Sequence, residues 1–493
     1  MSTTSIQRPP KPPRFDELER ELITIVGRAS ILTQEAELRA YDCDAYAPEK
    51  RYPDAVVLPQ TTEQVSQIVK LCNRLQFPFT PRGAGTGLSG GATAIVGGII
   101  IATTRMNKIL EVDIPNRRLT AQAGTVNVYL TKAVKNEGLH YAPDPSSQGA
   151  CTVGGNVAEN SGGPHTLKYG VTTNHITGVT LVLPDGEILH LGSKVEDPTG
   201  YDLVGLIVGA EGTMGIVTEV TTRLTPLPQS VRTLLAIFET ADQATQTVSD
   251  IIAEGILPAA LEMVDTFIIK AVEDAFHLGF PMDAEAVLII EVDGLEVGLD
   301  EEAERATAIA MRNGAREVRA AATEIERALL WKARKQAFGA LGRLGMNMVT
   351  HDGVIPRTKL PQVLRQVREI ATKYGLEVGN VFHAGDGNLH PNLMFDERDA
   401  EQVKRVIDAG HEILKLCVDV GGSVTGEHGI GIEKMEALGW QFSEDDLALM
   451  EQIKHVFNKN ELCNPGKIFP TAKRCWETEH APRIASAARG AAV

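Results

Sequence analysis

The sequence predicts an α+β chain built from two large domains, and three observations carry that reading. Its 493 residues are too many for one compact core and suit two or three domains. The first half is punctuated by three glycine-rich zones, Pro81–Gly91, Ala142–Gly170 and Gly205–Gly215, set between short apolar runs. After Pro226 and Pro228 the texture changes to β-like runs separated by long, charged, amphipathic segments.

The elements follow in order. Residues 1–14 hold Pro9, Pro10, Pro12 and Pro13 with little apolar content, so an extended, mobile tail is expected there, with another over 476–493. Between the tails the expected units are 15–228, 229–425 and a C-terminal segment, 426–475. From Thr61, the residues Val65, Ile68, Val69, Cys72 and Leu75 follow the helical period, and Thr61 with Gln64 makes a capping-box signature. A helix ending near Gln76 is predicted. Strands are predicted over Phe77–Thr80, Gly98–Thr103 and Ile216–Leu224. In the second unit, strands are predicted over Leu234–Phe238, Ala286–Val292 and Asn347–Ile355, and helices over Thr323–Leu344 and Lys359–Lys373. That alternation has βαβ character. A further helix is predicted over Glu444–Asn458, ahead of the turn-like Asn464-Pro465-Gly466.

Composition removes several function classes. Lys and Arg total 48 against 64 Asp and Glu, a formal charge of −16, which repels polyanions and excludes a nucleic-acid partner. The cysteines Cys43, Cys72, Cys151, Cys417, Cys463 and Cys475 show neither a CxxC pair nor iron–sulfur spacing. Reduced thiols and a cytoplasmic setting are expected. No stretch approaches the roughly 18 apolar residues of a spanning helix, and the N-terminus lacks a leader pattern. Any association with the inner membrane is therefore expected to run through partners.

The most compressed signal is Pro81–Gly91, PRGAGTGLSGG. Gly85-Thr86-Gly87-Leu88-Ser89-Gly90 formally matches GxGxxG, but a dinucleotide fingerprint must open a helix. This loop leads instead into Gly97-Gly98 and the β-like Ile99–Ala102. What remains is a nest of unobstructed backbone N–H groups that can cradle a diphosphate without a helix.

A second signal is Gly379–Asn392, which contains Asp386-Gly387, a strong two-residue hairpin turn. With those two as the central residues, the register pairs Gly385 with Asn388, Ala384 with Leu389 and His383 with His390. Directly opposed side chains have Cβ atoms about 4.5–5.5 Å apart, so the two imidazoles can share one metal ion. Glu427, in Gly426-Glu427-His428-Gly429-Ile430-Gly431, is the candidate carboxylate ligand. Its neighbour His428 points to the opposite side of an extended segment. Two histidines and one carboxylate with open positions suit Zn²⁺, Mn²⁺ or Fe²⁺ alike.

PRGAGTGLSGG, then Pro143–Gly163, Lys168–Gly170 and Gly209–Glu219, followed by HAGDGNLHPN, GEHGIG and NPGK, run in order through most of the chain. Together they resemble the vanillyl-alcohol-oxidase-type FAD-binding domain followed by a C-terminal FAD-linked oxidase domain with a ferredoxin-like cap. The resemblance is to the group that includes glycolate oxidase D subunits and D-lactate and D-2-hydroxyglutarate dehydrogenases. It implies that 15–228 binds FAD, that 229–425 is the substrate or cap domain carrying the hairpin, and that 426–475 returns to the flavin.

The resemblance also implies residue roles. Arg82, Gly83, Gly85, Thr86, Gly87 and Ser89 would wrap the pyrophosphate. Asp144, Ser146, Ser147, Thr152, Gly155, Asn156, Asn160 and Ser161 would approach the ribityl chain and flavin. Gly212, Gly215, Ile216 and Val217 would meet the flavin or adenine end, and Asn464 would reach the cofactor from the C-terminal segment. Covalently flavinylated relatives carry a histidine in the first loop, and Pro81–Gly91 has none, so non-covalent FAD is expected.

Arg334 is implied as the clamp for a substrate carboxylate. The expected reaction is oxidation of a small 2-hydroxy acid, with the metal taking the hydroxyl and one carboxylate oxygen. His428 would accept the hydroxyl proton. Phe338 and Thr350 stand where relatives acting on 2-hydroxyglutarate carry a hydroxyl residue and a lysine, which points to glycolate or D-lactate. Lys332, Lys335 and Arg343 remain candidates for a second clamp. The alternatives are a stand-alone D-lactate or D-2-hydroxyglutarate dehydrogenase, and a non-catalytic flavin-bearing scaffold or electron-relay subunit. The presence of His383, His390, Glu427 and His428 favours catalysis. A second flavin-type subunit and an iron–sulfur subunit are the partners that the resemblance implies.

Overall fold

Thr61 caps the helix Thr62–Leu75 by accepting the Gln64 N–H at 3.2 Å, while the Gln64 side chain accepts from the N–H of Gln60 at 2.8 Å. The reciprocal bond of the expected capping box is thus displaced by one residue. Val65, Ile68, Val69, Cys72 and Leu75 are all buried on one face, and the helix stops where Gln76 turns left-handed at φ +59°. That turn delays the next strand, which starts at Phe79 and not at Phe77.

This computed structural model describes residues 10–195, 199–344 and 347–470. Most of the expected N-terminal tail, all of the expected 476–493 tail and Cys475 lie outside the described residues. Cys43, Cys72, Cys151, Cys417 and Cys463 are free thiols. Among the described residues, no helix is long and apolar enough to cross a membrane.

The first half contains two main sheets. In one, β1 (Ile31–Leu32), β2 (Ala55–Val57), β3 (Phe79–Arg82) and β4 (Ile99–Ala102) are ordered β1-β2-β4-β3, with β4 parallel to both of its neighbours. The other uses β5 (Ile109–Asp113) and β6 (Arg118–Gln122). After β7 (Leu139–His140) it continues with β8 (Ile176–Val182), β9 (Ile188–Gly192) and β10 (Ile216–Arg223). It is antiparallel in the order β5-β6-β10-β8-β9, while β7 pairs with β11 (Thr225–Pro226). Ile216, Thr218, Val220 and Thr222 of β10 are buried in strict alternation, as the two-residue period of a strand requires.

The second half forms one seven-stranded sheet from β12 (Ser230–Phe238), β13 (Ala260–Asp265), β14 (Ala286–Gly294), β15 (Ala315–Ala320), β16 (Asn347–Thr350), β17 (Glu377–His383) and β18 (Pro391–Phe395). Its order is β15-β12-β14-β13-β17-β18-β16. Strands and helices alternate along the chain as expected, but every neighbouring pair is antiparallel. The helix Ala241–Ala253 joins β12 to β13, which run the same way with β14 inserted between them. This is a split βαβ crossover.

Two predicted elements change at the site. The single helix expected over Thr323–Leu344 is two, Glu324–Lys335 and Ala337–Leu341, separated at Gln336. The strand expected over Asn347–Ile355 ends at Thr350, and His351 and Asp352 continue as buried loop. The C-terminal segment returns to the first sheet, where Phe79 N–H donates to Leu462 O at 2.8 Å and Asn464 N–H donates to Phe79 O at 2.7 Å.

Candidate active site

The hairpin forms in a register different from the expected one. β17 and β18 pair Asn380 with Pro391, and His383 bridges to Asn388, not His390. The connection is the four-residue turn Ala384–Gly387. Gly387 does take the expected left-handed conformation at φ +80°. The outgoing arm is captured by a different segment, however: Leu389 N–H donates to Gly353 O at 2.8 Å and Ile355 N–H donates to Gly387 O at 3.0 Å. That tertiary pairing overrides the two-residue turn. His390 lies two positions beyond the partner of His383 on the same strand face, so the rings meet diagonally, with centroids 5.0 Å apart.

Glu427 completes the cluster. Its Oε1 stands 3.1 Å from Nε2 of both His383 and His390. Ligand atoms of these three residues lie within 4.8 Å of one another. Behind them, Glu262 of β13, fully buried, contacts His383 Nδ1 at 2.8 Å and accepts Arg334 Nε at 2.5 Å. A carboxylate behind a ligating imidazole is the usual support of a metal site, because it fixes the tautomer and ring orientation. The donor set therefore fits a divalent ion. Burial would push the His383 imidazole down, but Glu262 and Glu427 hold it well above its ordinary range. Burial likewise works against the Glu427 carboxylate, yet His383 and His390 keep it well below the usual range.

Sequence reasoning missed Asp352, which organises the loop carrying Glu427. The fully buried Asp352 carboxylate accepts the N–H groups of Gly426 at 3.0 Å, Glu427 at 3.2 Å and His428 at 2.9 Å, with the Thr425 hydroxyl at 2.5 Å. His428 is thereby laid flat on His390, with ring centroids 4.8 Å apart and planes 9° from parallel. Burial pushes the His428 imidazole down to about 4 despite the attraction of Asp352, so it is unprotonated at neutral pH. Asp352, His390 and His428 form a second possible ligand group among the described residues. Asp352 is already committed to backbone donors.

Arg334 is 1% exposed and faces the same space. Its Nε is held by Glu262 and its Nη2 lies 3.4 Å from His383 Nδ1, while Nη1 has no hydrogen-bond partner. A buried guanidinium with a free N–H edge is suited to a carboxylate.

One cavity of about 510 Å³ joins these groups to the glycine loops. Arg82, Gly83, Gly85, Thr86 and Gly87 line it from the first loop, and Ser146, Ser147, Thr152, Gly155, Asn156 and Ser161 from the second zone. Gly212, Gly215, Ile216 and Val217 line it from the third. Two glycines are required sterically. A Cβ on Gly83 would stand 2.3 Å from Thr152 Oγ1, and one on Gly85, at φ +72°, 2.2 Å from Arg82 Nη2. The close-packed loop leaves backbone along the cavity wall, a lining that fits a diphosphate-bearing cofactor such as FAD.

Four of the expected cofactor residues stand behind the wall. Ser89 donates to Gly429 O at 3.1 Å and accepts Lys434 Nζ at 3.1 Å. Asp144 contacts His165 at 3.0 Å and Lys335 at 3.2 Å. Asn160 accepts the Thr173 N–H at 2.8 Å. Asn464 donates to Glu211 O at 2.8 Å and Gly91 O at 3.1 Å. Ser89, Asp144 and Asn464 each fix a neighbour that lines the cavity or the loop beside it. Of the possible second clamps, Lys335 lines the cavity but is tied to Asp144, Arg343 donates to Ala275 O at 3.0 Å, and Lys332 opens to a different pocket. Phe338 and Met348 line the wall, whereas Thr350 is bound to Asn392 at 2.7 Å.

The fold and cavity find their counterparts among known proteins. Residues 53–192 match the FAD binding domain family, and residues 227–468 match the family of FAD linked oxidases, C-terminal domain. Over 447 residues the chain is 45% identical to the glycolate oxidase subunit GlcD of Escherichia coli K12, covering 91% of this chain and 90% of that protein. The chain belongs to the FAD-linked oxidase family. This FAD-linked oxidase is also 39% identical to GlcD of Bacillus subtilis over 92% of its length and 97% of the relative. It is 36% identical to a D-lactate dehydrogenase of Anaerostipes hadrus over 85% of its length and 90% of the relative. A solved structure of p-cresol methylhydroxylase with substrate bound superposes with a TM-score of 0.79 at 17% identity, over 92% of this chain and 96% of the other. A 4-ethylphenol oxidase from Gulosibacter chungangensis gives 0.78 at 19%, over 93% and 98%. These two show the fold, which is the vanillyl-alcohol-oxidase-type FAD domain followed by a FAD-linked oxidase domain. The glycine-lined cavity of this FAD-linked oxidase is accordingly its candidate FAD site.

Proposed function

We propose that this FAD-linked oxidase converts a small 2-hydroxy acid, glycolate or D-lactate, to the 2-oxo acid. The observation that carries the reading is Arg334: a buried guanidinium with an unpartnered Nη1, tied through Glu262 to His383 and opening onto the FAD cavity. Arg334 Nη1 takes the substrate carboxylate by a charge-assisted hydrogen bond. His383, His390 and Glu427 hold a divalent ion, which when bound makes the α-hydroxyl more acidic. His428 accepts the hydroxyl proton at Nε2, which lies 3.8 Å from Glu427 Oε1 on the ligand side of the ring. FAD supplies the two-electron acceptor for the α-hydride.

Short substrates are favoured because Phe338 and Met348 present apolar surface and Lys335 is neutralised by Asp144. We assign 15–228 to FAD binding, 229–425 to the cap and 426–475 to a segment closing on the flavin. The FAD is non-covalent. Similarity to glycolate oxidase subunits favours work alongside a second flavin-type subunit and an iron–sulfur subunit, with a cytoplasmic position and inner-membrane association through them. Similarity to D-lactate dehydrogenase favours a second reading, in which the chain acts alone on D-lactate. Anaerobic stopped-flow mixing with glycolate, D-lactate and D-2-hydroxyglutarate tests the assignment through bleaching of the flavin. Rapid bleaching by one of the first two is expected; bleaching by D-2-hydroxyglutarate alone overturns it.

A further inference from the structure

Two carboxylates that no step above uses converge on the FAD cavity. Glu159 ends the helix Val153–Glu159, whose first turn is capped by the Thr152 hydroxyl. Glu211 lies in the third glycine zone and is 5% exposed. Both line the cavity, and both flank Gly429: a Cβ there would stand 2.2 Å from Glu159 Oε2 and 2.8 Å from Glu211 Oε1. Glu159 also borders the end of the first loop, where a Cβ on Gly91 would stand 2.9 Å from its Oε1.

The two are not equivalent. Glu211 accepts the N–H groups of Ile430 at 2.6 Å and Gly431 at 2.7 Å, one on each oxygen, which satisfies an ionised carboxylate. Glu159 Oε2 is buried with no partner at all. Two neighbouring buried carboxylates oppose each other's ionisation, so the proton belongs on the one without donors. The surroundings agree: burial drives the Glu159 carboxyl well above its usual range, Glu211, Asp44 and Asp352 add to the rise, and Lys434 opposes it. Lys467 also faces the pair, and its ammonium is pushed down to about 8, by burial above all. A protonated carboxyl is a donor that needs an acceptor, and leaving a buried polar atom unpaired is costly.

We propose that Glu159 is a neutral carboxylic acid that donates a hydrogen bond to an acceptor oxygen of bound FAD. The inference rests on the cavity being the FAD site and is independent of the substrate.

Apoprotein stripped of flavin and titrated with FAD, following flavin fluorescence, tests it with Glu159→Gln and Glu159→Leu. Gln keeps a neutral donor and is expected to bind within a factor of about three of wild type; Leu removes the donor and is expected to bind about tenfold more weakly. Leu binding as tightly as wild type overturns the hydrogen bond. Gln binding about tenfold more tightly overturns the neutral state, because it means a charge was removed. Circular dichroism of each apoprotein checks folding. If the Leu variant does not fold, infrared difference spectra of wild type minus Glu159→Gln decide. A carboxylic-acid carbonyl band that shifts when FAD is added supports the assignment, and its absence overturns it.

Discussion

Glu262 accepts Arg334 Nε at 2.5 Å with one oxygen while its other oxygen lies 2.8 Å from His383 Nδ1. One buried carboxylate therefore holds both Arg334, the proposed substrate clamp, and His383, a proposed metal ligand. Glu262→Gln is expected to weaken binding of the divalent ion by about 10–100-fold, the usual effect of removing the carboxylate behind a ligating histidine. It is also expected to lower kcat/KM. Metal titration of the apo form, read alongside steady-state kinetics, checks both; a variant losing only one of them separates the two jobs.

Arg334→Ala is expected to raise KM and to lower kcat/KM by at least about tenfold with glycolate or D-lactate, since a carboxylate loses a charge-assisted partner. Unchanged kinetics would move the clamp to another base, with Lys335 the nearest candidate on the cavity wall.

His390→Ala and His428→Ala are expected to part company although their rings stack at 4.8 Å. The first should lose the ion and most turnover yet keep FAD, whose cavity is built chiefly by the glycine zones. The second should keep both ion and FAD and slow flavin reduction by about 10²–10⁴-fold, the range for a general base. Elemental analysis with single-turnover bleaching distinguishes them, and full activity in metal-free protein would reject the catalytic ion.

The seam between the two halves carries a charged latch. His165 lies 3.0 Å from Asp144 and 3.2 Å from Glu291, and it packs on Trp331. Burial opposes the imidazolium, but the two carboxylates raise it to about 10. Because the folded value lies above the ordinary one, near 6.5, the latch's stabilisation is fully present below that ordinary value. It is lost progressively as pH rises through about 10. The thermal midpoint of wild type is therefore expected to fall between pH 7 and 10 more steeply than that of His165→Gln. Parallel curves would show that the charge on His165 contributes nothing.

Acid precipitation is expected to release all FAD into the supernatant, because the loop Pro81–Gly91 has no histidine to attach it. Flavin absorbance staying with the pellet after denaturation would show a covalent bond.

Residues with a strong local signature were legible in the sequence. The Thr61 cap and the buried stripe of its helix follow from spacing alone, and His383, His390 and Glu427 come together as their motifs suggest. The hairpin register was not legible, because the competing segment Gly353–Ile355 lies outside the motif and its pull on Leu389 is tertiary. Asp352 and Glu262 escaped for a related reason. Each sits in a stretch that reads as structural, and its purpose emerges only from what packs beside it in space. A fully buried glutamate inside the apolar run Ala260–Asp265 was the available hint. Alternation of helices and strands was readable, but the insertion of β14 between β12 and β13 depends on pairing energies that periodicity does not encode.

The attachment of Leu462 and Asn464 to Phe79 bears on how the protein comes into being. The Asn464 side chain ties Gly91 to Glu211, so a residue that leaves the ribosome long after the wall residues braces them. The first half can build its sheets during synthesis, but the candidate flavin chamber acquires this brace only once Leu462 and Asn464 have emerged. A nascent chain halted before Leu462 therefore carries a chamber that is still unbraced.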